Sequence, residues 1–279
     1  MDPSRASVNV QLDPTLLPRL AARVGASSFL TAHRRVDLSK KGLHAKDCQA
    51  VNSLLAQAIS TAMHFATAEV QRCRFSPTPD VLISLTLREN GDLGDEGVRA
   101  AVETLLESSA SARVGSLSLA AVGAGDAGVC TLAAALTDAH CQLKLASLDL
   151  SSNRLSAVAA HALADALATG GSTLVELNLS RTAIGDEGAA ALAQGLMRSS
   201  SIAKLDLGYC RIGSAGVRAL AGGAAMRSSL SQLSLHGNQL HGGDGAQAAN
   251  LLLVSVQTLR YLRLGEMQLG PAAARVRRT

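Results

Sequence analysis

Residues 119–128 read LAAVGAGDAG, and two readings of this run lead to different folds. In the first, Gly123, Gly125 and Gly128 spell the dinucleotide-binding fingerprint G-x-G-x-x-G. A strand-like run (Leu117, Leu119, Val122) precedes them, a helix-like run (Val129 to Leu136) follows, and Asp149 stands about 20 residues further on, where a ribose-binding carboxylate belongs. In the second, the same residues are one copy of a unit that recurs along the chain, and the glycines mark its strand-to-helix turn.

The second reading extends over most of the sequence. The pattern L-x-x-L-x-L-x-x-(N/T/C)-x-(L/I) recurs as Leu82/Leu85/Leu87/Asn90, Val114/Leu117/Leu119/Val122, Leu145/Leu148/Leu150/Asn153, Leu174/Leu177/Leu179/Thr182, Ile202/Leu205/Leu207/Cys210, Leu230/Leu233/Leu235/Asn238 and Leu259/Leu262/Leu264/Met267. The second leucines are 32, 31, 29, 28, 28 and 29 residues apart. A weaker copy opens the array at Val36-Asp37-Leu38, which makes residues 33–81 an elongated first repeat with a helix-like run from Ala45 to about Arg72. Leucines four and six alternate along a strand and point inward. Leu132/Leu136, Leu163/Leu167 and Leu192/Leu196 recur every four residues, on one helical face.

Set against the other copies, the fingerprint dissolves. Gly125 and Gly128 correspond to Gly94 and Gly97 in LGDEG, Gly185 and Gly188 in IGDEG, and Gly213 and Gly216 in IGSAG. Counted back from the first glycine of each pair, Gly123 corresponds to Asp92, Ala183 and Arg211, so it completes the fingerprint by chance. Asp149 fills the fifth position of its repeat, as Asp37 and Asp206 do in theirs. No cofactor is expected.

These repeats resemble the leucine-rich repeat family, specifically its ribonuclease-inhibitor-like class, and are similar to those of the GTPase-activating protein for Ran and of NOD-like receptors. The resemblance covers about residues 33–273 and implies an α/β solenoid of seven to eight repeats, with a curved parallel sheet on the concave side and helices on the convex side. It also implies a ladder residue (Asn, Cys or Thr) at the ninth position. Val122 and Met267 depart from that rule, so repeats three and eight are expected to be less well tied. Residues 1–32 are expected to form an N-terminal cap or arm and residues 274–279 a basic tail.

Composition narrows the function classes. Aromatics are 2% of 279 residues, with no Trp, so a core of Leu, Ala, Val and Ile needs many small, regularly placed side chains. Residues 1–48 and 259–279 each carry a net +4, while the middle, with 13 basic and 17 acidic side chains, carries −4. With no basic stripe and few aromatics to stack bases, nucleic acid is not expected as the primary partner. No run approaches the roughly 18 apolar residues of a membrane span, and residues 1–30 do not read as a secretory signal. Five cysteines without ligand spacing predict free thiols, no metal site and a cytoplasmic protein, with cilium or cytoskeleton as the alternative.

Catalytic residues are not expected either. None of the seven histidines sits with a Cys or Ser in a spacing that places a base beside a nucleophile. Asp95-Glu96 and Asp186-Glu187 stand at helix starts, where capping and the helix dipole suit them better than acid–base work. The chain therefore reads as a non-enzymatic scaffold that binds a partner protein, with no small-molecule substrate, through its concave face and C-terminal flank. Two alternatives are a regulator of a small GTPase and a structural subunit of a larger ciliary or ribosomal assembly. Exposed strand positions in repeats five to eight supply the candidate partner-binding residues: Arg181, Asp206, Tyr209, His236, Arg260, Tyr261 and Arg263.

Overall fold

The computed structural model describes residues 35–44, 83–107, 114–138, 143–169, 173–227 and 229–265, together with 53 and 56. Eight short strands lie in one parallel sheet in chain order. They are β1 (Arg35–Asp37), β2 (Ile83–Thr86), β3 (Val114–Ser118), β4 (Ser147–Asp149), β5 (Glu176–Asn178), β6 (Lys204–Asp206), β7 (Gln232–Ser234) and β8 (Tyr261–Arg263). From β2 to β7 a helix follows each strand: α1 (Gly94–Glu107), α2 (Asp126–Thr137), α3 (Ala157–Ala168), α4 (Gly185–Arg198), α5 (Ser214–Arg227) and α6 (Gly242–Ser255). The expected cap (1–32), the tail (274–279), Met267 and the helix-like run of the first repeat lie outside the described residues.

Register follows from the leucines. Val36, Leu85, Leu117, Leu148, Leu177, Leu205, Leu233 and Leu262 pair in succession from β1 to β8. Leu85 through Leu233 are at most 3% exposed. A slip of one residue would turn each of them to the open face, so burial at ~1.5–3 kcal/mol per leucine holds the register. The helices cover the other side of these leucines with small residues. In α3 the buried set is Ala159, Ala160, Leu163, Ala164, Ala166 and Leu167.

After each strand the chain turns sharply at the residue before the ladder position. Lys40, Glu89, Ala121, Ser152, Arg181 and Tyr209 all take left-handed backbone there, with φ between 54° and 61°, and Gly237 does so at 66°. Side chains rarely adopt this region, at a cost of about 1–2 kcal/mol each, so the turn has to be held by its neighbours. Asn153 shows how. Its Oδ1 accepts from the Val122 and Ala124 N–H groups at 3.2 and 3.0 Å, and its Nδ2 donates to the carbonyls of Leu119 and Leu150 at 2.7 and 2.9 Å. Asn90 and Asn238 make the same clamp on the turns before them. Thr182 bonds only the Leu179 carbonyl, at 2.6 Å, and meets the Cys210 thiol at 3.5 Å.

A second set of bonds runs in the opposite direction. The Asp95 carboxylate accepts from the Gly125 and Gly128 N–H groups of the next repeat at 2.6 and 3.0 Å, and Asp186 does the same for Gly213 and Gly216 at 2.6 and 2.9 Å. Asp126 takes the N–H and hydroxyl of Ser156 at 2.8 and 2.5 Å. The acidic residues expected to cap their own helices therefore cap the following one.

This arrangement corrects one reading of LAAVGAGDAG and settles the other. Gly123 is not incidental: its φ is +76°, and a Cβ there would lie 2.2 Å from the Gly91 carbonyl oxygen. Val122 offers no amide to the preceding turn, and backbone approach at Gly123 closes that joint instead. The phosphate reading fails because Asp95 already occupies the N–H groups at the start of α2, the donors a nucleotide would need.

Candidate binding face

The helices bury one side of the sheet and leave the other open, so residues three and five of each repeat stand on the open face in two rows. Across β4 to β8 these rows are Ser147, Glu176, Lys204, Gln232, Tyr261 and Asp149, Asn178, Asp206, Ser234, Arg263, neighbours fixed by strand pairing. Together with the leucines between them they line a shallow depression of about 380 Å³. Glu176 and Lys204 form an ion pair on its floor. Asp149 accepts the Ser151 N–H and the Ser118 hydroxyl, at 3.1 and 3.3 Å.

The seven sequence-predicted residues divide into groups. Asp206, Tyr261 and Arg263 line the depression. Asp206 is also a turn former, accepting the Gly208 N–H at 2.9 Å. Tyr261 is 57% exposed, an unusual position for one of only two tyrosines. Arg260 is exposed just before β8, outside the depression.

Arg181, Tyr209 and His236 come together at the strand exits. The Arg181 guanidinium lies 4.7 Å from the centre of the Tyr209 ring, and Tyr209 meets the His236 ring edge-on, with centroids 4.9 Å apart and an interplanar angle of 82°. Cation–π and edge-to-face contacts of this kind each contribute about 0.5–1.5 kcal/mol. Two glycines make room for the rings. A Cβ on Gly208 would fall 2.2 Å from His236 Cε1, and one on Gly237 would fall 2.3 Å from Tyr209 Cδ1. These glycines carry no signal of their own in the sequence, because the rings that fill their space belong to the adjacent repeats.

One expectation needs correction. Ser234 Oγ and His236 Nδ1 lie 2.7 Å apart, so a serine and a histidine do meet. Ser234 ends β7 and His236 stands two residues on in the turn, which accounts for the pair. Among the described residues no carboxylate bonds the other ring nitrogen, so the third member that orients a catalytic base is missing. Nor do the described residues contain a metal-ligating cluster, or a helix long and apolar enough to cross a membrane. Cys130 and Cys210 are free thiols, and burial, the leading cause for both, pushes their pKa values up.

Comparison with known proteins agrees with this architecture. No curated protein matches the chain significantly. Of 78 matching chains of solved structure, one is Leiomodin-1 Actin-Binding Site 2 (ABS2), 24% identical with a TM-score of 0.37. The match covers 42% of this chain and 65% of that one, so this chain spans less than two thirds of its length. A family model described as Leucine Rich repeat matches residues 172–193 and 198–221. Those residues contain β5, most of α4, β6 and the start of α5, and the same strand–turn–helix unit continues in register on both sides of them: the fold is a leucine-rich repeat solenoid.

Proposed function

We propose that this protein is a non-enzymatic scaffold that binds a partner protein on the open face of repeats four to eight. The observation that carries this reading is the side-chain gradient across the sheet. The strands β2 and β3 present Ser84, Ser116 and Ser118 beside a buried Thr86, and at their exit Arg88 and Glu89 pair with each other, whereas the face over β4 to β8 presents charged, amide and aromatic groups around the depression. A parallel sheet covered by helices on one side only offers several strands at once to one ligand, and Tyr and Arg are the side chains most often found as anchors. Tyr209, Tyr261, Arg181, Arg260 and Arg263 are the proposed anchors, with Asp206 and His236 beside them.

Repeat spacings of 28 and 29 residues support the ribonuclease-inhibitor-like class, and the free thiols of Cys130 and Cys210 suit a reducing, cytoplasmic setting. A photo-crosslinker placed at Asn178, in the centre of the floor, tests the reading in the native cell. A discrete protein adduct is expected there and none from Arg99 on α1. Adducts from the Arg99 site alone would overturn the assignment.

A further inference from the structure

Resting on the open-face reading, we infer that the segment bound there is acidic, with carboxylate side chains seated on Arg181 and Arg263 at either side of the Tyr209–His236 stack. The four groups come from four consecutive repeats. Arg181 follows β5, Tyr209 follows β6, His236 follows β7 and Arg263 ends β8. Three strand spacings separate the outer pair, about 14 Å laterally. The edge-to-face Tyr209 and His236 rings thus lie between two arginines, each able to take a carboxylate through two parallel N–H bonds.

The ledge is built before any ligand arrives. Backbone bonds pin each position: Arg181 N–H donates to the Gly208 carbonyl at 2.7 Å, Tyr209 N–H to that of His236 at 2.8 Å, and Leu235 N–H to that of Arg263 at 2.9 Å. Ser234 holds the His236 ring through Nδ1, and Tyr209 holds one face of the Arg181 guanidinium. Neither Arg181 nor Arg263 forms an ion pair with a described carboxylate, whereas Lys204 is engaged by Glu176. The two arginines are therefore available cations at this end of the face, with Asp206 between them turned to the Gly208 N–H.

Spacing and neighbours select the class of anion. A phosphate dianion or a continuous nucleic-acid backbone would meet Asp149 and Asp206 on the same floor, and it would need its donors close together. Single carboxylates on separate residues of a protein segment match two arginines set apart, and a basic stretch in the same segment can face Asp149 and Asp206.

Fluorescence anisotropy of the full chain with a short glutamate-rich peptide, its lysine-rich counterpart and a phosphoserine counterpart tests this. The glutamate peptide is expected to bind best, and Arg181→Gln and Arg263→Gln are each expected to weaken it about tenfold. Gly208→Ala, whose Cβ displaces the end of the His236 side chain rather than backbone, is expected to weaken binding while leaving the melting curve of the parent. Absent binding, preference for the lysine or phosphoserine peptide, or indifference to both arginine substitutions would overturn the inference. The Asn178 crosslink is read independently, so an adduct there with no glutamate binding removes the acidic ligand and keeps the scaffold.

Discussion

The joint between repeats three and four and the joint between repeats four and five are held by different physics. At the first, Asn153 reaches back to the turn of repeat three and Asp126 reaches forward to Ser156, so polar bonds cross in both directions. At the second, the Thr182 side chain bonds its own repeat and the Cys210 thiol of the next one but does not reach back to repeat four, and Ala157 stands where an Asp would cap the next helix. This joint closes by proximity instead. A Cβ on Gly188 would lie 3.0 Å from that of Ala160, and one on Gly195 would lie 2.8 Å from the Ala164 carbonyl oxygen. A solenoid can substitute close apolar packing for buried hydrogen bonds joint by joint, provided that the residues on both helices are small.

Four measurements sharpen or break this contrast. Asn153→Ala leaves two N–H groups and two carbonyls buried without their partner and is expected to cost about 3–4 kcal/mol in urea denaturation, against about 1 for Thr182→Ala. Equal losses would mean that the two joints are held alike. Gly195→Val forces a branched side chain against the Ala164 backbone and is expected to cost about 2–3 kcal/mol, where an exposed helix substitution would cost a few tenths. Asp126→Ala removes the carboxylate that holds the Ser156 N-cap of α3 and is expected to cost about 1 kcal/mol, with faster amide exchange confined to the first turn of that helix. An effect spread over the whole array would contradict a local cap.

The smallest effect concerns a third kind of tie. Cys210 donates its thiol hydrogen to the Leu179 carbonyl at 3.0 Å. Burial raises its pKa ahead of the weaker opposing effect of its Thr182 hydrogen bond. A thiol whose folded pKa exceeds the unfolded value near ~8.5 stabilises the fold fully below that pH and loses the contribution as pH rises through the folded value. The parent is therefore expected to lose stability relative to Cys210→Ser at alkaline pH. A difference that stays constant with pH would show that the thiol titrates alike in the folded and the unfolded chain.

Much of the fold was legible because leucine spacing reports burial directly: only one register buries Leu85 through Leu233 together. The candidate face was legible in part. Period-two alternation places Tyr261 and Arg263 outward, and the structure keeps them there. What could not be read were contacts whose two halves lie a full repeat apart. Asp95 at a helix start looks like a cap for its own helix, and only stacking shows that it serves the next. Gly208 and Gly237 look like ordinary turn residues until the rings of His236 and Tyr209 are seen filling the space. Gly123 lacks glycine counterparts in the other copies, yet the missing amide at Val122 is what makes a close backbone approach useful at that joint.

The carboxylate at the start of α2 also makes the molecule its own competitor. An incoming phosphate would have to displace Asp95, a tethered anion present at an effective concentration on the order of millimolar or more, and would then share the site with that displaced negative charge and with Asp126. A nucleotide approaching this fingerprint thus meets two of its N–H donors already taken, by a group that comes from the repeat before.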